Sequence, residues 1–414
     1  MSKYLRLDSS RFSVNLVYVP KFPDSFQAKY EQLVGKTATT DVLRYCKHEL
    51  IHLVWSLLLN NPRFVDVYLN GMLEHCADRI LRLLFPRLFT HSADYIEKVL
   101  LASIKFLSER LCMFCLIKKE HIEELGTLAN KRRMERTRQD TPVWRKRIET
   151  IWRSIYEKGT SFSSKSVTRR LAGTSEHPDR NAFSESLHQT GNNFYNLFVA
   201  DLMHKITGII ESIFKHLNRI IYQEDKLNTE ILNKRFRSVP AFDSRTIRLF
   251  INNVTEMRKF ACRDFEDLIQ CAIPCYEGLL PPDHNDIVLD LLWDLNVVIA
   301  YASLHLHSDS TLASLNTMVT ELGNLMRRFV NDTCTAYVTT EIPEEAEKRR
   351  HSAARARKKK NKQPKKKRKR DEEEEELLSK EFNMSTFKIH NLEHYVHFIK
   401  NVGSFDGVST RPGE

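Results

Sequence analysis

The stretch Phe194–Tyr222, FYNLFVADLMHKITGIIESIFKHLNRIIY, decides the fold class. Its apolar residues recur every three or four positions, which is the spacing of one helix face and not the alternation of a strand. The helical pattern continues to residue 340, through SRTIRLFINNVTEMRKF, FEDLIQCAIPCYEGLL, the helix around Asp286 and STLASLNTMVTELGNLMRRFVNDTCTAY. We therefore predict a chain that is predominantly α, with a small mixed α/β part.

Composition divides the rest of the chain into shorter segments. The β-rich pieces FVDVYLN and KVLLASIKFL predict the mixed part, and the polar GTSEHPDRN predicts a boundary near residue 180. The predicted division is an extended N-terminal segment (1–40), a mixed α/β region (41–120), a charged helical region (121–180), a helical region (181–340), a charged linker (341–381) and a C-terminal segment (382–414).

The net charge of +11 belongs to one segment. Between Lys348 and Arg370 lie 15 Lys and Arg residues and no acid, so the remaining 49 cations face 53 acids and the rest of the chain carries −4. A uniformly basic DNA-binding face is therefore not supported, and affinity for nucleic acid would come mainly from this segment.

The same segment predicts nuclear import. It lacks apolar periodicity and precedes the acidic run DEEEEE, which is typical of a disordered linker. A dense, exposed basic cluster is what an import receptor binds, so we expect a nuclear protein; the alternative is a solvated charge run. The predicted signal is Pro364, Lys365, Lys366, Lys367, Arg368, Lys369 and Arg370.

The eight cysteines do not form a disulfide framework, because most of them stand alone in a long chain. The one C-x-x-C pair, Cys112 and Cys115 in ERLCMFCLIKK, fits half of a metal site, a redox pair or two core residues. No window of about 20 residues is free of charge, so we predict no membrane span.

Three further patterns offer candidate site residues. Asp94, in RLFPRLFTHSADYIEKVLLAS, is either a metal-binding carboxylate at a strand end or the N-cap of a helix. Asp201 and His204 are spaced i, i+3 on one helix face. His390 and His394 are spaced i, i+4, which suits two imidazoles on one metal as well as two ordinary surface or core histidines.

The ordered set of blocks resembles a known family. HCADRILRLLFPRLFTHSADYIEKVLLA, CMFC, RNAFSESL, FYNLFVADLMHKI, CYEGLLPPDHNDIVLDLLWDL, LHLHSDSTL, RRF and FNMSTFKIHNLEHYVHFIKNVGSFDGVSTRPGE follow one another as in fungal transposon-derived proteins. They resemble the Plavaka group of the CACTA-type cut-and-paste transposases of mushroom-forming fungi. The resemblance runs from about residue 40 to the end of the chain and rests on the order and spacing of the whole set.

The resemblance implies an incomplete RNase H-like core, formed by residues 41–120 and 382–414 and interrupted by a large helical insertion. Such cores use three carboxylates to hold divalent metals such as Mg²⁺ for phosphoryl transfer. The ADYIE block implies that Asp94 is the second acid, and Glu414 falls at the third. Asp201 and His204 match the family's D-x-x-H pattern.

The resemblance also implies a structural zinc site. The family's C-P-x-C corresponds to Cys112 and Cys115. In a distantly similar recombinase of antigen-receptor gene assembly, such a pair shares one zinc with a late histidine pair before the third acid. His390 and His394 occupy that place here.

Several departures from the family pattern bear on activity. The block that would carry the first catalytic Asp is missing, Arg79 replaces a Gly, Ile96 replaces a Pro, and the sequence stops at Glu414. We therefore expect a fragment of a transposase, truncated at both ends, that contacts DNA without strand-transfer activity. The alternative is a non-enzymatic helical scaffold with a nuclear import tail.

Overall fold

The computed structural model describes residues 19–242, 246–257, 260–360 and 377–408. These residues form sixteen α-helices and one two-stranded antiparallel sheet. The prediction of a predominantly α chain with a small β part is thereby confirmed. The chain divides into two units: Met1–His121, Leu128–Asp201 and Asn401–Glu414 form unit 1, and Ile122–Thr127 and Leu202–Lys400 form unit 2.

Unit 1 consists of short helices and long connecting loops. Its elements are α1 (Phe26–Val34), α2 (Thr40–Leu59), α3 (Pro62–Asn70), β1 (Met72–His75), β2 (Leu81–Leu84), α4 (Tyr95–Leu101), α5 (Leu128–Met134), α6 (Pro142–Tyr156), α7 (Lys165–Ala172) and α8 (Ala182–Leu187). Helix α2 packs on α3, α4 and α8 and is the longest helix of the unit.

Helix α2 begins at a side-chain cap. The Thr39 hydroxyl accepts a hydrogen bond from the Val42 N–H, and Asp41 places a negative charge in the first turn, where it interacts favourably with the helix dipole. Among the buried residues of α2 are two histidines, His48 and His52, one turn apart on the same face. That face turns toward the interior of unit 1.

The prediction that FVDVYLN is β-rich was wrong, because these residues belong to helix α3. The side chain of Asn61 accepts hydrogen bonds from the N–H groups of Arg63 and Phe64. Pro62 follows at the first helical position, where its fixed φ favours the helix. The cap and the proline outweigh the β-propensity of two valines and a tyrosine.

The sheet is a β-hairpin, with Met72 opposite Leu84. Its turn contains Arg79 at a φ of 63°, in the left-handed region that favours glycine. This is the position at which the family pattern has Gly. Asp78 stabilises the turn by accepting hydrogen bonds from the Ile80 N–H (3.1 Å) and from both terminal nitrogens of Arg82 (2.6 Å each).

Unit 2 is a helical bundle followed by shorter elements. Its helices are α9 (Leu202–Glu224), α10 (Lys226–Ser238), α11 (Cys262–Tyr276), α12 (Pro282–Ala302), α13 (Asp309–Arg328), α14 (Pro343–Lys360), α15 (Phe387–His390) and α16 (Tyr395–Val402), of which α16 extends into the last segment of unit 1. Helix α9 packs on α10 and α11, and α12 packs on α11 and α13.

The bundle core follows the helical periodicity of the opening stretch. On α9 the side chains of Ile210, Ile213, Leu217 and Ile220 are fully buried. Each aliphatic side chain of this kind contributes about 2 kcal/mol of burial free energy. Among the described residues, none of the helices combines the length and apolarity that a membrane crossing requires.

Residues 343–360, which the sequence analysis placed in a disordered linker, form helix α14. The helix begins at Pro343, and the Glu345 carboxylate binds the Arg219 guanidinium through two hydrogen bonds of 2.9 and 2.7 Å. Ala346, in the first turn of α14, is buried. The predicted import signal, residues 364–370, lies outside the described residues.

Candidate functional site

Cys112 and Cys115 lie in a loop that is hydrogen-bonded to the segment around Arg136 and Arg138. The Leu116 N–H donates to the Arg136 carbonyl (2.9 Å), and the Arg138 N–H donates to the Phe114 carbonyl (2.8 Å). The Arg138 guanidinium donates to the carbonyls of Cys112 (2.8 Å), Thr174 (2.8 Å) and Arg110 (3.0 Å). Both cysteines are completely buried, and burial raises the pKa of Cys115 well above its usual value.

His390 and His394 lie at the end of α15 and in the 3-10 turn that follows it. Their Nε2 atoms are 3.1 Å apart, and the two rings meet edge to face. Both side chains are buried. Their i, i+4 spacing thus brings two imidazole nitrogens to one point, as the sequence suggested.

The ligand atoms of Cys112, Cys115, His390 and His394 lie within 4.8 Å of one another. Two thiolates and two imidazoles are a donor set that suits a tetrahedral structural zinc ion. The four residues that the resemblance implied are therefore grouped, and they fit a structural metal ion.

Asp94 is the N-cap of helix α4. Its Oδ1 atom accepts a hydrogen bond of 2.8 Å from the Glu97 N–H, and the side chain is exposed. Of the two interpretations that the sequence left open, the structure shows the cap. Glu414 lies outside the described residues, so Asp94 is the implied nuclease acid with a described position, and Asp201 of the D-x-x-H pattern is described as well.

A buried lysine accompanies these two acids. The segment around His91 runs parallel to the segment around Phe198, and the His91 N–H donates to the Leu197 carbonyl (2.6 Å). Lys98 is 1 % exposed, and its Nζ atom donates to the Val199 carbonyl at 2.5 Å, two residues before the fully buried Asp201.

Burial lowers the pKa of Lys98 to about 8, while the charges of Asp201, Asp94 and Glu97 act in the opposite direction. The ammonium group is therefore mostly protonated at neutral pH. It interacts electrostatically with both acids that the resemblance implied. His204, the other member of the D-x-x-H pattern, is half-buried in the first turn of α9.

Sequence reasoning missed a second cluster of polar side chains inside unit 1. The pattern H-E-x-x-H occupies His48 to His52, and it went unnoticed although it was visible in the sequence. Its two histidines face His177 and Asp179, from the polar stretch that was interpreted only as a boundary. Asp179 is completely buried.

One carboxylate oxygen of Asp179 is the centre of this cluster. Its Oδ2 atom lies 3.1 Å from His48 Nδ1, 3.4 Å from His177 Nδ1 and 3.5 Å from His52 Nε2. The rings of His48 and His177 are stacked with their centroids 3.9 Å apart. The other oxygen, Oδ1, is buried and has no hydrogen-bond partner among the described residues.

The protonation states follow from burial and from these contacts. Burial acts to raise the pKa of Asp179, but the imidazoles of His177, His48 and His52 hold it well below its usual range. Burial lowers the pKa of both His52 and His177, against the opposing effect of Asp179. At neutral pH the cluster therefore contains an ionised carboxylate beside the neutral imidazoles of His52 and His177.

Hydrogen bonds fix the loop that carries His177 and Asp179. The His177 N–H donates to the Ser103 carbonyl (2.8 Å), and the Asn181 side chain donates to the Leu101 carbonyl (2.7 Å) and to the Ser103 hydroxyl (3.0 Å). Asn181 also caps helix α8. The cluster is thus built on a hydrogen-bonded loop and on the buried face of α2.

Comparison with known proteins gives a match to a protein family. Residues 30–219 match the family described as Plavaka transposase, and this range includes Cys112 and Cys115, Asp94, Asp201 and the Asp179 cluster. The comparisons with curated proteins and with solved structures gave no match. The matched range covers most of unit 1 and the first part of helix α9. Residues 30–219 are therefore similar to the Plavaka transposases, and this match supports a Plavaka-like, transposase-derived protein.

Proposed function

We propose that this transposase-derived protein acts in the nucleus, contacts DNA and does not catalyse strand transfer. The observation that carries this proposal is Lys98, whose buried ammonium group interacts with both Asp94 and Asp201. A DDE-type nuclease would hold divalent metal ions with its carboxylates. Here a side chain of the protein supplies positive charge to Asp94, which the resemblance implies as a nuclease acid, and to Asp201 of the D-x-x-H pattern.

A lysine in this place opposes metal binding for two reasons. It partly satisfies the charge of the carboxylates, and it repels an incoming cation. Two unit charges 4 Å apart interact by about 4 kcal/mol at the effective dielectric constant of a protein surface, and the repulsion is doubled for a divalent ion. Asp94 is in addition engaged as a helix cap.

The finer fold proposal is an incomplete RNase H-like core in unit 1. It is supported by the parallel bridge between His91 and Phe198, after which Asp94 and Asp201 follow at similar distances along the two segments. Acids that follow neighbouring parallel segments lie at the same edge, as a nuclease core requires.

A second candidate function is a helical interaction scaffold. It is favoured by Trp293 on helix α12, which is 61 % exposed although tryptophan is usually well buried. In that case unit 2 would carry the function, and the carboxylates of unit 1 would have none.

The first prediction concerns metal-dependent nicking of supercoiled DNA. With Mg²⁺ or Mn²⁺, the purified chain is expected to nick DNA no faster than its Asp94→Ala and Asp201→Asn variants, because Lys98 keeps the ions away. Plasmid relaxation on agarose gels measures the rate. Nicking that both variants abolish, and that the surface variant Asp66→Asn retains, would contradict the proposal.

The second prediction concerns zinc at Cys112 and Cys115, which we propose as ligands together with His390 and His394. The double change Cys112→Ser and Cys115→Ser is expected to remove about one equivalent of zinc, because a Cys₂His₂ site needs both thiolates. Elemental analysis of the purified protein measures it. The matched control is Cys271→Ser with Cys275→Ser, two other buried cysteines. Equal zinc in both double variants would sink the assignment.

The third prediction concerns the predicted import signal in the charged linker, residues 364–370. Replacing Lys365, Lys366, Lys367 and Arg368 with Ala is expected to move a fluorescent fusion from the nucleus to the cytoplasm, because the import receptor binds a dense cluster. The same variant should bind DNA more weakly, with a shallower salt dependence in fluorescence anisotropy. The control replaces Lys29, Lys36, Lys47 and Arg63, which are exposed. Unchanged localisation would refute the import proposal.

The fourth prediction concerns pH and Lys98. The folded pKa of about 8 lies below the unfolded value of 10.5, so between these values the unfolded chain binds more protons. The free energy of unfolding should therefore rise with pH, by up to about 3 kcal/mol from this residue. Urea titrations at pH 7.5 and 10 measure it.

The Lys98→Met variant isolates this contribution, because methionine has similar volume and no charge. It should lack the rise, whereas Lys47→Met, at an exposed position of α2, should retain it. The same rise in Lys98→Met and in the parent chain would show that the Lys98 ammonium is not buried as described.

A further inference from the structure

We propose that His48, His177 and Asp179 form a second metal site, which holds a divalent transition-metal ion of the zinc type. One ligand atom from each of the three residues lies within 4.8 Å of the other two, and all three side chains are buried. The proposal is independent of the proposed function, because it concerns neither Asp94 nor DNA.

The cluster has an unmet need for positive charge. The Asp179 carboxyl group is fully buried, and its Oδ1 atom has no hydrogen-bond partner among the described residues. His177 Nδ1 also lacks a hydrogen bond of acceptable geometry, although it lies 3.4 Å from Asp179 Oδ2. Buried charges in proteins are paired or coordinate metals, and a divalent ion would satisfy both atoms together.

His52 has a different part in the cluster. Its Nδ1 atom accepts a hydrogen bond of 3.3 Å from the Ala182 N–H, so the proton of the neutral ring is on Nε2. That Nε2–H can donate to the Ser103 hydroxyl, 3.2 Å away, or to Asp179 Oδ2, 3.5 Å away. His52 therefore orients Asp179 and leaves the carboxylate free to bind an ion. Residues that hydrogen-bond a metal ligand usually orient it in this way.

The metal class follows from the donor set. Two imidazole nitrogens and one carboxylate oxygen suit zinc, and they also suit iron(II) or cobalt(II), whereas calcium and magnesium prefer oxygen alone. The backbone that carries the ligands is held in place before an ion arrives, because His48 lies on α2 and the loop of His177 is anchored on Ser103. The stacked rings of His48 and His177 must tilt apart for both Nδ1 atoms to point at one ion.

The arrangement differs from that of the H-E-x-x-H metalloproteases. There both histidines of the pattern bind the metal, whereas here His52 lies outside the group of three ligands. Glu49, between them, is half-buried beside Tyr45 and Tyr156. We therefore infer a structural ion that holds α2 on the loop of residues 177–181, and no hydrolase activity.

The test measures zinc in the chain without its cysteine site. The variant with Cys112→Ser and Cys115→Ser, purified in zinc and dialysed against metal-free buffer, should retain about one equivalent. Adding His177→Gln should remove it, and adding His75→Gln, at an exposed position of β1, should not. Cobalt in the double cysteine variant should give visible bands without a thiolate charge-transfer band.

X-ray absorption at the zinc edge of the unchanged chain decides the matter if these variants do not fold. Both sites together give on average about one sulfur ligand per zinc, whereas the Cys₂His₂ site alone gives about two. A folded cysteine variant without zinc, or two sulfurs per zinc in the unchanged chain, would overturn the proposal and leave a hydrogen-bonded network only. Either result leaves the nicking and import experiments unaffected.

Discussion

The buried carboxylate of Asp179 is the constraint on which the arrangement of unit 1 depends. Removing a carboxylate from water costs several kcal/mol unless it is paired and hydrogen-bonded. Three imidazoles face its Oδ2 atom, and two of them lie one turn apart on α2. Because Ser103 and Asn181 fix the loop of Asp179, the end of α4, the start of α8 and the buried face of α2 are all positioned around one charge.

Lys98 is a second buried charge, of opposite sign, that also needs compensation inside the protein. Its ammonium group is almost as deeply buried as Asp179, donates a hydrogen bond to the Val199 carbonyl and interacts electrostatically with Asp201, Asp94 and Glu97. In the proposed account, the acids inherited from a transposase are therefore held by a lysine, while a different carboxylate nearby in the chain recruits a metal ion.

Much of the fold could be predicted from the sequence where local periodicity determines the structure. The helices α9, α11, α12 and α13 carry long apolar stripes that only a helix can bury on one side. The helix predicted over SRTIRLFINNVTEMRKF was wrong, because among its described residues Ile247 forms a β-bridge with Phe242 and Val254–Glu256 form a 3-10 turn. Helix α3 could not be predicted from its β-rich composition, because its start depends on the Asn61 cap and on Pro62. Helix α14 could not be predicted, because its sequence is highly charged and lacks an apolar stripe. It is anchored by the pairing of Glu345 with Arg219, which is distant in sequence.

The site was predictable where a family pattern existed. The grouping of Cys112 and Cys115 with His390 and His394 came from the resemblance, and spacing alone left three interpretations open. The burial of Lys98 was not predictable, because its covering segment follows about a hundred residues later. His177 and Asp179 were missed because a polar stretch normally indicates an exposed loop, and only tertiary contacts show that this one is buried.

The most direct test of the central claim is anomalous diffraction from crystals of the full chain grown with Mn²⁺. The claim is that the Lys98 ammonium, and not a metal ion, compensates Asp94 and Asp201. The account predicts no manganese peak within coordinating distance of either carboxylate, with the Lys98 Nζ atom hydrogen-bonded to the Val199 carbonyl as described here. A manganese ion bound to both Asp94 and Asp201, with Lys98 displaced, would contradict it.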